Sequence, residues 1–255
     1  KKWPAGLGLR PLRVETWGPF VFVCSDMNVA PLADFFGGLF EFFESKVDLA
    51  EIVTTGCVKE FTFEIEANWK IVVENSLECY HCSFAHPGLA SSIDLRRYKQ
   101  WTEGWWSVQE APQRVTGKKR GAALGRSTQA GANKSGMISA QFNYLFPNLY
   151  ISVWPGSTGF STTEIIPLGY HRTRGRHRRF FQKEASEDEL GESHAFIREV
   201  IDEDIVLCES VQRGLDRDVV GQRLVVNRGS QGADETCIVH FHKLLRSKLE
   251  GSLLM

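Results

Sequence analysis

The order of the predicted strands and helices most constrains how this chain can fold. Strands come first, then a helix, more strands, a long helix and a last strand, so few strand–helix–strand units repeat. Parallel sheets need such repeated crossover units, whereas antiparallel sheets do not. We therefore expect an α+β fold in which helices cover an antiparallel sheet. The predicted strands lie at 12–24, 60–66, 137–146, 149–154, 159–166 and 237–242, and the predicted helices at 31–45, from 68 onward, at 186–215 and in the C-terminal tail.

The composition excludes several classes of protein. The 255 residues suffice for one large domain, or for one domain with a remnant of another. The net charge of -1 gives no overall attraction to nucleic acid or to anionic membranes. No apolar run approaches the roughly 18 residues of a membrane span, and the N-terminus lacks a signal-peptide pattern. We expect a cytoplasmic protein with neither nucleic acid nor membrane as a partner.

The six cysteines also favour a cytoplasmic location. They are too few and too scattered to cross-link a chain of this length, and we expect them to be reduced thiols. They are Cys24, Cys57, Cys79, Cys82, Cys208 and Cys237.

An acidic residue interrupts the apolar face of the long helix at 186–215, which opens with a capping box from Ser186 to Glu189. Apolar residues recur there at steps of four and three, and Asp204 occupies one such position. Burying a carboxylate is costly unless a cation or hydrogen-bond donors meet it, whereas its neighbours Asp202 and Glu203 point elsewhere and are easily solvated. Asp204 therefore binds a partner such as a metal, pairs with an arginine, or turns to water. The apolar positions are Ile197, Ile201, Cys208, Val211 and Leu215.

A second unusual pattern occupies residues 68–87. Asn68 is a typical N-cap for a helix that follows the strand at 60–66. Glu74, Glu78 and His81 are spaced four and three apart, which predicts a polar row on one helix face.

The spacing of two histidines in this pattern decides whether they can share a metal ion. His81 and His86 would lie about 140° apart around an ideal helix, so the helix must end or loosen between them. Ser83 and Pro87 provide for such a break. Two histidines and a distant carboxylate, Asp204, match the facial triad of non-haem Fe(II) oxygenases, which leaves one face of the iron open.

Other metal sites compete with this interpretation. Cys79 with His81, and Cys82 with His86, could bind zinc, but no second Cys/His pair follows at a fixed spacing. His240 and His242 would share one face of the strand predicted at 237–242, although a lone pair of histidines is weak evidence. The other histidines are expected at the surface or satisfied in the core, and they are His171, His177 and His194.

Two polar stretches are expected outside the core. The glycine-rich stretch 116–136 predicts a long loop, and loops of that length are usually functional or mobile. The arginine-rich run at 172–179 favours a solvated edge or turn over an anion site.

Several motifs together resemble one known family. They are Asn-Trp-Lys at 68–70, Glu-Asn at 74–75, the double-histidine motif at 78–87 and the acidic motif at 203–215. They are similar to the catalytic domain of Rieske non-haem iron oxygenase α subunits, and the resemblance covers nearly the whole chain. It implies a helix-grip-like fold, with 1–27 as the end of an N-terminal Rieske part and 28–255 as the mononuclear-iron catalytic domain.

The resemblance also implies roles for individual residues. His81, His86 and Asp204 would bind a mononuclear Fe(II), with Asn75 supporting them. Glu78 would be catalytic, bridging the Rieske cluster of a neighbouring subunit to the iron. Most ring-hydroxylating members have Asp at that position, and the Glu is similar to the carnitine monooxygenase branch, whose relatives oxidise quaternary amines such as glycine betaine and choline.

The electron-transfer parts of such an enzyme are implied but not found in this sequence. A [2Fe-2S] Rieske cluster needs a Cys-x-His pair and, further on, a Cys-x-x-His pair, and the sequence has no such combination. We expect the cluster in an N-terminal domain that this chain does not contain. The resemblance further implies an NAD(P)H-dependent reductase as electron donor and a homotrimer.

Aromatic residues are the candidates for binding substrate. A quaternary ammonium group cannot donate hydrogen bonds from its charged centre, so aromatic faces should surround it. Tyr150 and Trp154 share one strand face, with Phe142 or Tyr144 beside them, although each could simply build the core. Two alternatives stay open: a ring-hydroxylating dioxygenase acting on an aromatic compound, and a metal-free module that binds an apolar ligand.

Overall fold

The computed structural model describes residues 9–45, 47, 49, 50, 52, 57–114, 139–154, 159–181, 187–217 and 234–253. The loop predicted at 116–136 and Ser186 of the capping box lie outside these described residues. None of the helices in these ranges is long and apolar enough to cross a membrane.

A seven-stranded antiparallel sheet forms the centre of the fold. The strands are β1 (Arg13–Trp17), β2 (Phe20–Cys24), β3 (Cys57–Ile65), β4 (Lys99–Glu103), β5 (Trp106–Pro112), β6 (Ser139–Leu145), β7 (Leu149–Val153), β8 (Gly159–Gly169) and β9 (Arg172–Phe181). The large sheet has the order β3-β9-β8-β7-β6-β5-β4, and β1 and β2 form a separate hairpin. All neighbours are antiparallel, so the predicted α+β class is confirmed. Strands β4 and β5 were missing from the sequence prediction.

Two predicted elements are wrong. The helices are α1 (Leu32–Phe36), α2 (Leu39–Glu44), α3 (Trp69–Ser76), α4 (Cys82–Ala85), α5 (Pro87–Ser92), α6 (Glu187–Leu215) and α7 (Thr236–Leu253). The helix predicted at 31–45 is broken in two, because Gly37 adopts a left-handed φ of 55°. The strand predicted at 237–242 belongs to α7, where Cys237, Ile238 and Phe241 are buried at helical spacing.

The arginine-rich run forms an interior strand rather than the solvated edge or turn predicted from its charge. Strand β9 lies between β3 and β8. Its alternate arginines form ion pairs with Glu60 and Glu64 of β3 and Glu164 of β8. Opposite charges on neighbouring strands therefore offset the repulsion within the run. The arginines on the face of β9 that carries these ion pairs are Arg172, Arg174, Arg176 and Arg178. The residues on the other face are Thr173, Gly175, His177 and Arg179.

Helices and the hairpin cover opposite faces of the large sheet. Ile71 of α3, Cys208 of α6 and Ile238 of α7 join one apolar cluster with the sheet face that carries Tyr150. We call this the inward face. The β1–β2 hairpin packs with α1 and α2 on the outward face, where Trp17 stacks on Phe40 with ring centroids 4.3 Å apart. The inward face and its helices enclose the candidate site.

The apolar face of α6 is shorter than the sequence predicts. Its last turns contact the start of α3 through polar groups, since Gln212 Oε1 accepts a 2.8 Å hydrogen bond from the Asn68 backbone N–H. Ile197 and Cys208 are buried, whereas Val211 and Leu215 are exposed.

A glycine on β9 gives a test of this packing. A Cβ at Gly175 would overlap the ring of the buried Phe63 on β3. We expect Gly175→Ala to lower the free energy of unfolding by about 1–3 kcal/mol, because the ring must move. Gly169→Ala, where a Cβ meets nothing within 4 Å, should change it by less than about 0.5 kcal/mol. Equilibrium unfolding in urea measures both, and equal losses would contradict this account.

Candidate metal centre

The chain positions its two histidines at either end of a single helical turn. Helix α3 starts at the Asn68 cap, whose side chain accepts from the Lys70 N–H, and it ends at Ser76. His81 is the N-cap of α4, and His86 leaves the helix with φ -119° and ψ 74° just before Pro87. The chain therefore departs from helical geometry between the two rings, as their spacing requires.

The predicted polar row of Glu74, Glu78 and His81 is wrong, because α3 ends before Glu78. Glu74 faces α7 instead, and His242 Nε2 lies 2.8 Å from its Oε1. Glu78 and His81 remain neighbours in the turn that follows.

Three side chains from distant parts of the sequence converge. His81 Nε2 lies 3.1 Å from His86 Nε2 and 3.6 Å from Asp204 Oδ1, and His86 Nε2 lies 3.0 Å from the same oxygen. Ligands about 2.1 Å from one ion at right angles would be about 3.0 Å apart. The three atoms therefore fit three ligands on one face of an octahedral ion. Among the described residues, these three side chains are the one group of histidine, cysteine or carboxylate ligands that lie close enough together to hold a metal ion.

Two carboxylates orient the histidine rings. Glu78 Oε1 is hydrogen-bonded to His81 Nδ1, and Glu203 Oε2 lies 2.7 Å from His86 Nδ1. Each Nδ1 therefore carries the proton, and each Nε2 lone pair is left for a metal, as in most protein sites with histidine ligands. Asn75 Nδ2 donates a 2.6 Å hydrogen bond to Asp204 Oδ1 and so fixes the third side chain.

The protonation of these groups shows how strongly the site attracts positive charge. Burial opposes protonation of His81, but the carboxylates of Asp204 and Glu78 more than offset it and raise its pKa to about 9. The pKa of His86 is raised as well, because Asp204 and Glu203 outweigh its burial. Burial would raise the pKa of Asp204, yet the two histidines lower it. A divalent cation can replace these protons.

Glu203 is the residue that the sequence prediction missed. It was expected to be solvated with Asp202, but it accepts the hydrogen bond from His86 across 117 positions of sequence. Asp202 is exposed, as predicted, and pairs with Arg198. Helical spacing places Glu203 about 100° and Asp202 about 200° around the axis from Asp204, so neither is predicted to share its face. Only the position of the buried His86 ring distinguishes them.

The cysteines next to His81 are not the reduced thiols predicted from the sequence. Cys79 and Cys82 form a disulfide, because the turn brings their Cα atoms to 5.0 Å, within the usual range for such a bond. A disulfide leaves no thiolate for zinc, which removes the predicted alternative at these positions. Cys24, Cys208 and Cys237 are free, as expected.

The alternative pair of histidines does not converge. His240 and His242 are two apart on helix α7, so their side chains diverge by about 200° around its axis. His240 Nε2 lies 3.1 Å from the Gly104 carbonyl oxygen.

A cavity of about 160 Å³ lies between α4, α6 and the inward face of the sheet, and the three converging side chains reach it. Three of the predicted substrate-binding aromatics line it, namely Tyr150, Trp154 and Phe142. Tyr144 packs against Phe241 instead, and its hydroxyl donates to the Pro147 carbonyl oxygen at 2.6 Å. An engineered cavity of about 150 Å³ holds benzene, so this volume suits a small ligand.

With the fold and site described, comparison with known proteins identifies the family. A family model for the ring hydroxylating alpha subunit (catalytic domain) matches residues 54–251. The chain therefore belongs to this family, and the resemblance inferred from the motifs is confirmed.

Comparison with individual relatives shows which members of the family this chain is similar to. The chain is 32% identical over 243 residues to the carnitine monooxygenase oxygenase subunit of Escherichia coli (strain K12), covering 93% of this chain and 61% of that protein. It is 29% identical over 266 residues to the chloroplastic choline monooxygenase of Arabidopsis thaliana, covering 96% and 56%. The solved structure of a quaternary ammonium Rieske monooxygenase superposes with a TM-score of 0.77 at 27% identity, covering 92% of this chain and 61% of that one. The chain thus spans less than two thirds of these relatives.

The carboxylate behind His86 gives one test of the site. We expect Glu203→Gln to weaken Fe(II) binding by about 10–100-fold, because a neutral amide no longer supports the basicity of the His86 ring. Asp202→Asn, on the exposed side of the same helix, is the matched control and should bind Fe(II) as the wild type does. Anaerobic Fe(II) titration against a competing chelator measures both affinities, and equal affinities would exclude this role for Glu203.

A buried histidine gives a test by pH. Burial, with the nearby Arg179 charge, lowers the pKa of His177 to about 3. The unfolded chain binds a proton at His177 near pH 6.5, but the folded chain does not until about pH 3. Its stabilising contribution is therefore present above pH 6.5 and is lost as the pH falls towards 3. Between pH 6 and 4, His177→Gln should reduce the slope of unfolding free energy against pH by about 1.4 kcal/mol per unit. Urea unfolding of the metal-free chain measures this, and parallel curves would contradict it.

Proposed function

We propose that this chain is the catalytic part of a terminal oxygenase that hydroxylates an N-methyl group of a small quaternary ammonium compound. The single observation that carries the proposal is the convergence of His81, His86 and Asp204 on one point, with a carboxylate behind each ring. Two imidazoles and one carboxylate are the ligand set of non-haem Fe(II) oxygenases. Fe(II) bound there supplies the activation of dioxygen.

Glu78 supports a path for electrons into this site. Its side chain is almost fully buried, and it joins His81 Nδ1 to the turn through hydrogen bonds from the backbone N–H groups of Tyr80 and His81. In this proposal Glu78 couples His81 to a [2Fe-2S] Rieske cluster supplied from outside this chain. The solved relative described above concerns inter-subunit electron transfer.

An exposed apolar patch beside Glu78 supports docking of the domain that carries the cluster. Phe84 is 88% exposed and Tyr80 is 50% exposed. Large apolar side chains grouped at a surface often mark an interaction site. The proposal therefore includes a neighbouring subunit of a homotrimer at this patch, and an NAD(P)H-dependent reductase that feeds the cluster in the cytoplasm.

The cavity favours a small cation as the substrate. The rings of Tyr150, Trp154 and Phe142 offer faces to a quaternary ammonium group, and the carboxylates of Asp204 and Glu78 line the same cavity. The relatives that act on carnitine and choline support this class over an aromatic hydrocarbon. A module that binds an apolar ligand without a metal does not require three converging metal-binding side chains.

The chemistry of the product follows from the substrate. Hydroxylation exchanges one hydrogen of an N-methyl group for OH, with one oxygen atom from dioxygen. The other oxygen atom leaves as water after uptake of two electrons and two protons. The resulting hemiaminal breaks its C–N bond, releasing formaldehyde, a proton and the tertiary amine. In this proposal the buried rings of Tyr150 and Trp154 limit the access of water to the methyl group.

Iron binding tests the proposal first. Under anaerobic conditions the wild-type chain should bind one equivalent of Fe(II). Asp204→Ala should weaken binding by more than the roughly 10–100-fold typical of losing an outer hydrogen-bond partner, because it removes a ligand. Asp202→Ala, an exposed carboxylate on the same helix, should bind Fe(II) normally. A wild-type chain that binds no iron would overturn the oxygenase proposal.

Product formation completes this test. The protein that includes its electron-carrying domain, together with a reductase, should release formaldehyde from betaines, choline or carnitine, and its Asp204→Ala variant should not. Oxidation of simple aromatic acids without formaldehyde would instead support the ring-hydroxylating alternative.

A further inference from the structure

Two cysteines occupy the wall of the cavity beside the candidate metal centre. Cys79 lies in the turn that follows α3, and Cys82 begins α4 directly after His81. Both side chains line the cavity, and both are buried. The proposed function assigns no role to either sulfur atom.

The sulfur atom of Cys82 lies close to the metal-facing side of His81. Its distance from His81 Nε2 is 3.9 Å. An imidazole nitrogen and a thiolate that bind one zinc ion, at about 2.1 and 2.3 Å and at a tetrahedral angle, are about 3.6 Å apart. The observed separation is therefore close to that of two ligands of the same ion.

The other three ligand atoms fit this geometry as well. Two ligands about 2.1 Å from one ion are about 3.4 Å apart at a tetrahedral angle. The separations among His81 Nε2, His86 Nε2 and Asp204 Oδ1 are 3.0, 3.1 and 3.6 Å, on either side of that value. With the Cys82 sulfur atom, the same wall contains two imidazoles, one carboxylate and one sulfur, which are all ligand types of zinc.

The bond between Cys79 and Cys82 decides whether this sulfur atom can bind a metal. The disulfide contains no thiolate. Reduction by a phosphine consumes one water molecule, yields the phosphine oxide and gives two thiols, and a metal ion then displaces the proton of a thiol. Oxidation by hydrogen peroxide returns the disulfide and releases two water molecules.

The cytoplasmic location in the proposed function makes both forms relevant. Thiols are kept reduced in that compartment, and the few disulfides found there are usually transient, catalytic or redox-sensing. A bond that only holds the fold together is therefore not expected. The two cysteines also lie on either side of His81 in the sequence, which favours a redox role at the metal centre over a role in stability.

We propose that Cys82 is a redox-controlled fourth ligand of this metal centre. In the dithiol form Cys82 joins His81, His86 and Asp204 around one tetrahedral ion, and this set favours zinc over iron. In the disulfide form the sulfur atom is not a ligand, and the position that a catalytic site keeps open stays open. The inference rests on the proposed function, because it assumes the same three ligands.

Cobalt(II), which takes the place of zinc and iron in such sites, tests this assignment. A cobalt–thiolate bond gives an intense near-ultraviolet charge-transfer absorption, which imidazole and carboxylate ligands do not give. The wild-type chain is reduced with a water-soluble phosphine, freed of the reagent anaerobically and compared with the chain oxidised by one equivalent of hydrogen peroxide. Mass spectrometry verifies the two thiols and the disulfide. One equivalent of Co(II) should give the absorption in the reduced form and not in the oxidised form.

Two variants assign the absorption to one sulfur atom. In the reduced state Cys82→Ser should lack it, whereas Cys79→Ser, the matched control, keeps the Cys82 thiol and should show it. Competition with a chelator measures Zn(II) affinity in the same samples. Reduced Cys82→Ser should bind Zn(II) at least about 10–100-fold more weakly than the reduced wild type, because losing a ligand costs more than losing an outer hydrogen-bond partner.

The outcomes separate this inference from the proposed function. Co(II) binding without the absorption in the reduced wild type, or an absorption that persists in Cys82→Ser or in the disulfide form, would overturn the inference and leave the three-ligand site standing. Loss of Co(II) binding in the reduced form alone would show that the bond has a structural role, and would also overturn the inference. Failure of both forms to bind Co(II) or Fe(II) would overturn the proposed function as well.

Discussion

The attraction between two imidazoles and three carboxylates is the interaction on which the rest of this site depends. Glu78, Glu203 and Asp204 surround His81 and His86 with hydrogen bonds. With neutral imidazoles the group carries three negative charges, and a divalent cation would reduce this to one. Such a concentration of charge is costly to bury unless a cation joins it. The same contacts tie α4 to α6, so the helices that form the site are fixed relative to one another through its ligands.

The large sheet forms one wall of the cavity, and its two faces have different roles. Strand β9 shows this best, because its arginines pair with glutamates on the outward face while Gly175 and His177 face the other way. Successive side chains of a strand point to opposite faces, so one short sequence can supply residues to both faces of the sheet. Gly175 makes room for Phe63, which lines the cavity. The shape of the cavity is therefore set by the sheet and its chemistry by the helices.

The sequence predicted the fold class and the three converging side chains because both leave periodic signals. Asp204 interrupts an apolar stripe, and the spacing of His81 and His86 requires a break in the helix. Nothing comparable indicates Glu203, whose role depends on where the His86 ring lies in space. The Cys79–Cys82 bond likewise depends on the path of a turn. His177 was expected to be an ordinary histidine, and only the pairing of β8 with β9 brings it to the cavity.

The bond between Cys79 and Cys82 closes a small ring that contains His81. His86 lies outside this ring, but its backbone N–H donates a 3.1 Å hydrogen bond to the carbonyl oxygen of Cys82. Reduction of this bond therefore removes a covalent constraint from the turn that holds His81 and from Cys82, to which the His86 backbone is hydrogen-bonded. Two preparations that differ only in their exposure to dithiothreitol are different molecules at this position, and the redox history of a sample belongs in any description of its iron chemistry.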